Sequence, residues 1–321
     1  MDTELDTLLT ALYVKIDDDL AGLARLPGRP VVLSHAELVT MAVAGAFLGF
    51  HGEARWLRYM RANLRHLFPF IPQDAGYNKR VRAALPQIKR LIRTLAKDTD
   101  FWCDTVWLTD STPVPCGTSR PTAVRSEVAG WANYGYCASH SRWFWGLRLY
   151  LVCTPAGMPI LWALADPKIG EREVLAAMLE VDADLVADHW GVLLISDKGF
   201  ASKAFKRPLA AQGITLLRPS RKDEATLPGE HMLKGIRQMI ESINETLKGQ
   251  LDLEQHGART EEGVAVRVAI RILALAAAIW HNFRTSQPIP RSLTAYDHQN
   301  AKNQLGKTHL GPSLGFPVRH C

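Results

Sequence analysis

The chain has 321 residues, of which 47% are hydrophobic, so it is long enough to bury a substantial core. Its 38 Lys and Arg against 32 Asp and Glu give a formal net charge of +6, which is compatible with nucleic-acid binding without requiring it. Five cysteines without close pairs argue against a disulfide framework and against a zinc site. The acidic start, MDTELD, does not resemble an export signal, and we expect a cytoplasmic location.

The first hundred residues have the periodicity of helices, and strand patterns are absent there. Apolar residues recur at helical spacing in four segments, and Ser34 is a candidate N-cap for the second. The third segment carries arginines at spacings that place several of them on one face: Arg55, Arg58, Arg61 and Arg65. Such a face would suit contacts with phosphates, although the solvated face of a core helix explains it better. We predict a helical N-terminal region over residues 1–100.

Strand patterns begin after this region. TVWLTDS predicts a strand that ends at Asp110, and FWGLRLYLVCT and MPILWALADP, separated by a Pro-Ala-Gly turn, predict an antiparallel hairpin. A helical segment follows, then VLLIS predicts a strand that ends at Asp197. Another helix, the strand ITLLRPS and two long helices complete the pattern, and these run from about 231 to 251 and from 262 to 284.

This order of elements predicts a mixed α/β fold. We expect a ribonuclease H-like core with a mixed five-stranded sheet flanked by helices, over residues 101–285 and preceded by the helical N-terminal region. The most apolar segment, which starts at Val264, contains two arginines four residues apart and predicts a buried helix rather than a membrane span. Residues 286–321 are rich in Pro, Gly and polar residues and predict a weakly ordered tail.

Two aspartates follow apolar strands, and this position indicates a site. An unpaired carboxylate at the end of a buried strand is costly unless a cation or hydrogen-bond donors receive it. In open α/β sheets, ligands bind beyond the carboxyl ends of the strands. Asp110 and Asp197 on neighbouring strands would share a divalent ion, and oxygen ligands favour Mg²⁺ or Mn²⁺ over zinc. Taken singly, each aspartate is equally well explained as a cap of the following loop or helix.

A third acidic residue lies in the helical segment IRQMIESINETLK. Arg237, Glu241 and Lys248 fall at i, i+4 and i+11, which places all three on one helix face. In isolation this pattern is explained by a solvated salt-bridge face. After two strand aspartates, however, Glu241 completes an Asp, Asp, Glu order that indicates a two-metal phosphoryl-transfer site.

These residues resemble the DDE transposases of bacterial insertion sequences. The spacing of Arg237, Glu241 and Lys248 matches the Arg-x3-Glu-x6-Lys part of their C-terminal signature, Tyr-x2-Arg-x3-Glu-x6-Lys. Four stretches resemble the IS982 family in particular, with an IS4/IS5-like catalytic core: DSTPVPCGTSR, GYCASHSRWFWGLRLYL, ISDKGF and IRQMIESINETLKGQLDLEQHGAR. The chain departs from the pattern at Lys234, where the signature has Tyr, and at Tyr150, where we expect His.

The resemblance implies a site and its cofactor. Asp110, Asp197 and Glu241 would be catalytic carboxylates that bind two Mg²⁺ or Mn²⁺ ions. Phosphate or DNA contacts are expected for a set of basic residues: Arg237, Lys248, Lys198, Arg120 and Arg148.

The resemblance also implies an activity, and it makes the helical region over residues 1–100 the expected N-terminal DNA-binding region. The enzyme would cleave insertion-sequence ends and transfer the strand into target DNA by in-line displacement at phosphorus. Its partners would be double-stranded DNA, as terminal inverted repeats and target, and further copies of the chain in a homodimer or larger synaptic assembly. The protein would lie in the bacterial cytoplasm, at the nucleoid when bound to DNA, and away from membranes. A nuclease without strand transfer and a catalytically silent DNA-binding derivative remain as alternatives.

Overall fold

The computed structural model describes residues 3–21, 32–117, 119–137, 141–289 and 293. Five helices come first: α1 (Thr3–Ala21), α2 (His35–Phe47), α3 (Glu53–Asn63), α4 (Asp74–Ala83) and α5 (Leu85–Lys97). Ser34 caps α2, since its hydroxyl accepts from the Glu37 N–H while the Glu37 carboxylate accepts from the Ser34 N–H. The pattern did not predict α4, because this polar helix buries only Tyr77 and Val81.

A mixed sheet follows these helices. Its strands are β1 (Val106–Gly117), β2 (Asn133–Cys137), β3 (Arg142–Cys153), β4 (Pro159–Ala165), β5 (Leu193–Ile195) and β6 (Thr215–Leu217). Their order is β2-β3-β1-β5-β6, and β4 also pairs with β3. The β1–β5 and β5–β6 pairs are parallel and the pairs that involve β3 are antiparallel. The sheet therefore has one strand more than expected, β2, and the predicted mixed α/β, ribonuclease H-like fold is confirmed.

Helices flank this sheet. They are α6 (Arg120–Arg125), α7 (Glu171–Val181), α8 (Ala183–Asp188), α9 (Lys203–Ala211), α10 (Leu233–Glu245) and α11 (Glu261–Arg284). The predicted single helix to about residue 251 changes its winding, because α10 continues as a π-helical turn over Thr246–Gln250. π-Helical turns are rare in proteins, and those that occur often lie at functional sites.

The long apolar helix α11 is part of the core. By length and composition alone it would reach across a membrane, but 83% of its most apolar window is buried inside the protein. It packs against α1, α2 and α5. Its buried Arg271 donates to the main-chain carbonyls of Leu251 and Asp252, which satisfies a cation that would otherwise be costly there. The predicted buried helix is confirmed.

The expectation that β1 ends at Asp110 is wrong. β1 runs on to Gly117 paired with β3, and only its parallel pairing with β5 stops, at Leu108. Beyond that point one edge of β1 is open. The Ser111 N–H points to this edge and donates to the Asp110 side chain. Pro113 and Pro115 follow at intervals of two residues, so their backbone nitrogens face the same open edge. Proline lacks an N–H, and at these positions an N–H would have had no partner among the described strands.

Some of the sequence predictions lie partly outside the described residues. The weakly ordered tail falls almost entirely on positions about whose structure nothing is described, 290–292 and 294–321. The GYCASHSRWFWGLRLYL stretch includes 138–140, which are also not described.

Candidate active site

The parallel pairing of β1 with β5 brings two predicted aspartates together. Leu108 of β1 lies opposite Ile195 of β5, so the positions two residues further along each chain, Asp110 and Asp197, leave the pairing side by side. The proximity is also evident electrostatically, because the Asp197 charge contributes to the pKa of Asp110. Strand pairing therefore forms this part of the site.

Asp110 is a largely buried carboxylate with two close donors. The Ser111 N–H donates to Oδ1 and the Asn244 amide of α10 donates to Oδ2, both at 2.8 Å. The pKa of Asp110 is raised to about 6, chiefly by burial, and the negative charges of Asp197 and Glu171 act in the same direction. The Ser111 N–H and the positive charge of Lys248 act in the opposite direction. A bound cation would relieve this accumulation of negative charge.

Asp197 lies in a tight turn and is only half-buried. Its Oδ1 accepts the Gly199 N–H at 2.7 Å, so it does cap the short turn that follows β5. A Cβ placed on Gly199 would lie 2.9 Å from Oδ1 of Asp197 and 3.5 Å from Oε2 of Glu171. Gly199 is therefore required by close approach of carboxylates, and not by a left-handed backbone, because its φ is not positive.

The helix side of the site is less closely assembled. Asn244 is the residue of α10 that contacts Asp110, and at 3.6 residues per turn Glu241 and Lys248 lie within about 60° of it around the helix. The Glu241 side chain is exposed, and it has an interaction of its own. Within the described ranges, no group of three Asp, Glu, His or Cys side chains is close enough to hold a metal ion. The role of Glu241 as the third metal ligand stays a prediction.

The predicted DNA-contacting residues have different surroundings. Lys248 approaches Glu245 at 3.3 Å, and only 15% of its side chain is exposed. Arg120, at the start of α6, and Lys198, after Asp197, are exposed and available to a ligand. For Arg237 only the backbone is described.

Arg148 is engaged in hydrogen bonds within the protein. Its Nη1 donates to Oε1 of Glu171 at 2.9 Å and to the Ser111 hydroxyl at 3.0 Å. The Ser111 hydroxyl also donates to Oε1 of Glu171 at 2.9 Å. We refer to Arg148, Glu171 and Ser111 as the Glu171 network.

Sequence reasoning missed Glu171 and Asn244. Glu171 is the first residue of α7, where a carboxylate is favoured by the N-terminal end of the helix dipole, so its sequence context marks only a helix start. Asn244 is one polar residue among several on an amphipathic helix. Neither position carries a local signal, because Glu171 lies 60 residues from its partner Ser111 and Asn244 lies 134 residues from its partner Asp110.

Tyr150, which stands where a histidine was expected, is 2% exposed in β3. Burial raises the pKa of its hydroxyl to about 12. The hydroxyl has no hydrogen-bond partner among the described residues. At this depth Tyr150 supports the sheet and does not reach a DNA backbone.

The donor set fits a hard divalent cation in part. Asp110 and Asp197 offer carboxylate oxygens, the ligands that Mg²⁺ and Mn²⁺ prefer, and Asp110 is buried with its charge incompletely compensated. The fit is limited to these two residues, since the described side chains do not bring a third ligand into place.

Comparison with known proteins identifies this region. A family model described as "Transposase DDE domain" matches residues 102–261, the stretch that contains Asp110, Asp197 and Glu241. A search of curated proteins found no match. The match spans the sheet, α6 to α10 and the two aspartates that the strand register pairs. The match of residues 102–261 to this family model supports a transposase of the DDE superfamily.

Proposed function

We propose that this protein is an insertion-sequence transposase of the IS982 family that cleaves the ends of its element and joins them to target DNA. The observation that carries the proposal is the side-by-side arrangement of Asp110 and Asp197, produced by the β1–β5 register inside a transposase DDE domain. Glu241, on the α10 face that meets Asp110 through Asn244, is the proposed third carboxylate.

The chemistry is displacement at phosphorus. A water oxygen attacks the scissile phosphodiester, the bond from phosphorus to the 3′ oxygen breaks, and the products are a 3′-hydroxyl and a 5′-phosphate. Bound Mg²⁺ or Mn²⁺ supplies Lewis-acid stabilisation of the charge at phosphorus. Asp110 and Asp197 would hold the cations, and the hydrogen bonds from Ser111 and Asn244 fix the orientation of Asp110 before substrate binds.

Strand transfer uses the same site with a different nucleophile. The 3′-hydroxyl released by cleavage attacks a phosphodiester of target DNA, so one bond forms as one breaks and no covalent enzyme intermediate is required. The reaction needs two ends in one assembly, and we propose a homodimer or larger synaptic complex. The substrate is double-stranded DNA carrying the terminal inverted repeats, encountered in the cytoplasm at the nucleoid.

Phosphate contacts are proposed for four of the predicted basic residues. Lys198 adjoins Asp197 in the chain, and Lys248 lies on the same face of the α10 region as Asn244 and contributes to the potential at Asp110. Arg237 lies on the same helix one turn before Glu241. Arg120 begins α6, and Arg148 acts through the Glu171 network instead.

The test is a cleavage and strand-transfer assay on a labelled duplex that carries the element's own terminal repeats. Wild-type protein and Asp197→Asn are compared with and without Mg²⁺. We expect Mg²⁺-dependent cuts at the repeat boundary and joined products with wild-type protein, and neither product with the variant.

Other outcomes identify the alternatives. Cuts at the boundary without joined products would support a nuclease that lacks strand transfer. Specific binding of the repeats with no cleavage by either protein would support a silent DNA-binding derivative, and the proposed activity would be wrong.

A further inference from the structure

We propose that Glu171 is a positioning residue of the active site: through Ser111 it fixes Asp110, and its second carboxylate oxygen lies beside Gly199 in the turn that Asp197 caps. The inference deepens the proposed function and rests on it. It concerns a residue outside the Asp, Asp, Glu set, on a helix that the sequence marks only as a structural element.

The first step is the hydrogen-bond relay from Glu171 to Asp110. Oε1 of Glu171 accepts the Ser111 hydroxyl at 2.9 Å, and the main-chain N–H of the same serine donates to Oδ1 of Asp110 at 2.8 Å. Ser111 lies on the open edge of β1, where none of the described strands pairs with it on that side. Without the Glu171 contact, the serine and the backbone that orients Asp110 would lose a side-chain anchor.

The second step is the position of the other oxygen. Oε2 of Glu171 lies 3.5 Å from where a Gly199 Cβ would be, and that same point is 2.9 Å from Oδ1 of Asp197. Glu171 therefore reaches both aspartate loops, with one oxygen towards β1 and the other towards the turn after β5.

The third step is the charge balance of the network. Arg148 donates to Oε1 of Glu171 and to the Ser111 hydroxyl, which holds the carboxylate in one rotamer. Side-chain exposure is 20% for Arg148 and 32% for Glu171, so solvent screening of the pair is incomplete. In other proteins, residues that hydrogen-bond to a metal ligand orient it in this way, and their loss weakens metal binding.

A purely structural ion pair that ties α7 to the sheet is the competing explanation. It predicts that loss of Glu171 lowers stability but leaves cation affinity unchanged. The positioning role predicts weaker cation binding, with the same loss when the relay is cut at Ser111.

The experiment titrates Mn²⁺ alone into the full-length protein and follows binding by calorimetry, with melting temperatures recorded in parallel. The variants are Glu171→Gln, Ser111→Ala, Ser111→Thr and Asp197→Asn, and the matched control is Glu173→Gln, an exposed carboxylate two residues further along the same helix. We expect roughly tenfold weaker Mn²⁺ binding for Glu171→Gln and for Ser111→Ala. Ser111→Thr, which keeps the hydroxyl, should restore binding, and Glu173→Gln should bind as wild type.

The outcomes separate this inference from the proposed function. If Asp197→Asn abolishes Mn²⁺ binding while Glu171→Gln binds as wild type and merely melts earlier, the positioning role is wrong and the proposed function stands. If wild-type protein neither binds Mn²⁺ nor cleaves the repeats, the proposed function fails, and the inference fails with it. Equally weak Mn²⁺ binding by the Glu173→Gln control would also overturn the inference, since the effect would then come from a general loss of negative charge.

Discussion

The strand half and the helix half of the site are assembled to different degrees. On the strand half, β-pairing fixes Asp110 beside Asp197. Asp110 accepts hydrogen bonds from Ser111 and Asn244, and Asp197 accepts one from Gly199. On the helix half, Glu241 is exposed, and the described residues do not bring three ligands together. Sheet pairing positions a side chain by a ladder of main-chain bonds, whereas a helix that lies on a sheet can rotate or slide as a unit.

The difference indicates which part of the site would move when ligands bind. The α10 helix is followed directly by the π-helical turn Thr246–Gln250, so the segment that carries Glu241 and Lys248 contains a local change in winding. The strand half is built before any ligand arrives. We expect the helix half to complete the ligand set when cation and DNA bind, and the following predictions test that difference from the largest effect to the smallest.

The largest effect is expected for Asp110→Asn. Loss of a metal-binding carboxylate removes several kcal/mol of transition-state stabilisation, so cleavage should fall roughly a thousandfold or more. The same change should not unfold the protein, because it removes a buried charge. Single-turnover cleavage of the repeat duplex, together with a melting curve, measures both. Retained cleavage would show that the strand half is not the reaction centre.

The second prediction tests the helix half with a matched pair. Glu241→Gln should lower cleavage by roughly a thousandfold, since a cation ligand is lost. Glu245→Gln, an exposed glutamate one turn further on that approaches Lys248, should leave cleavage within about threefold, because surface pairs contribute little. Comparison of the two cleavage rates decides which glutamate acts. The reverse pattern would move the third carboxylate to Glu245.

The third prediction concerns the pH dependence of stability without metal. The pKa of Asp110 is about 6 in the folded protein, above its ordinary value of 3.8. Its stabilising contribution is therefore fully present below about pH 4 and is lost as the pH rises through 6. The free energy of unfolding should fall by about 3 kcal/mol over this range. Urea unfolding of wild type and Asp110→Asn between pH 4 and 7.5 should show this loss in wild type only. Parallel curves for the two proteins would rule out the buried charge as its cause.

The fourth prediction concerns the contact that joins the two halves. Asn244→Ala removes the donor to Oδ2 of Asp110 and should cost about 1–3 kcal/mol in unfolding free energy, because a buried hydrogen bond to a carboxylate is lost. Ser242→Ala, at an exposed position on the same helix, is the control. Urea denaturation at pH 7.5 measures both changes. Equal stability of the two variants would mean that α10 is held on the sheet by other contacts.

The smallest effect is expected for Lys198→Ala. Lys198 is exposed beside Asp197 and is a proposed phosphate contact. Its removal should weaken binding of any duplex to a similar degree and reduce the slope of log K against log salt by about 1. Fluorescence anisotropy at several salt concentrations measures the slope. An unchanged slope would show that DNA does not contact this turn.

Much of the element order was readable from sequence because its signals are local. Helical spacing predicted α1, α2, α3 and α5, and the Pro-Ala-Gly turn predicted the antiparallel pairing of β3 with β4. The polar helix α4 and the short edge strand β2 were missed, since neither has enough apolar residues to give a periodic signal. The π-helical turn was also missed, because helical spacing does not distinguish it from continuing α-helix.

The sequence by itself determined which residue types are available for the site and in what order they occur: two aspartates after apolar strands, then a glutamate between an arginine and a lysine. Only the tertiary structure decided that Asp110 lies within β1, that Asn244 and Glu171 reach its surroundings, and that Tyr150 is buried. The reason is physical. Local patterns report the burial of one face of an element, while contacts across 60 or more residues depend on strand register and helix packing, which no short segment encodes.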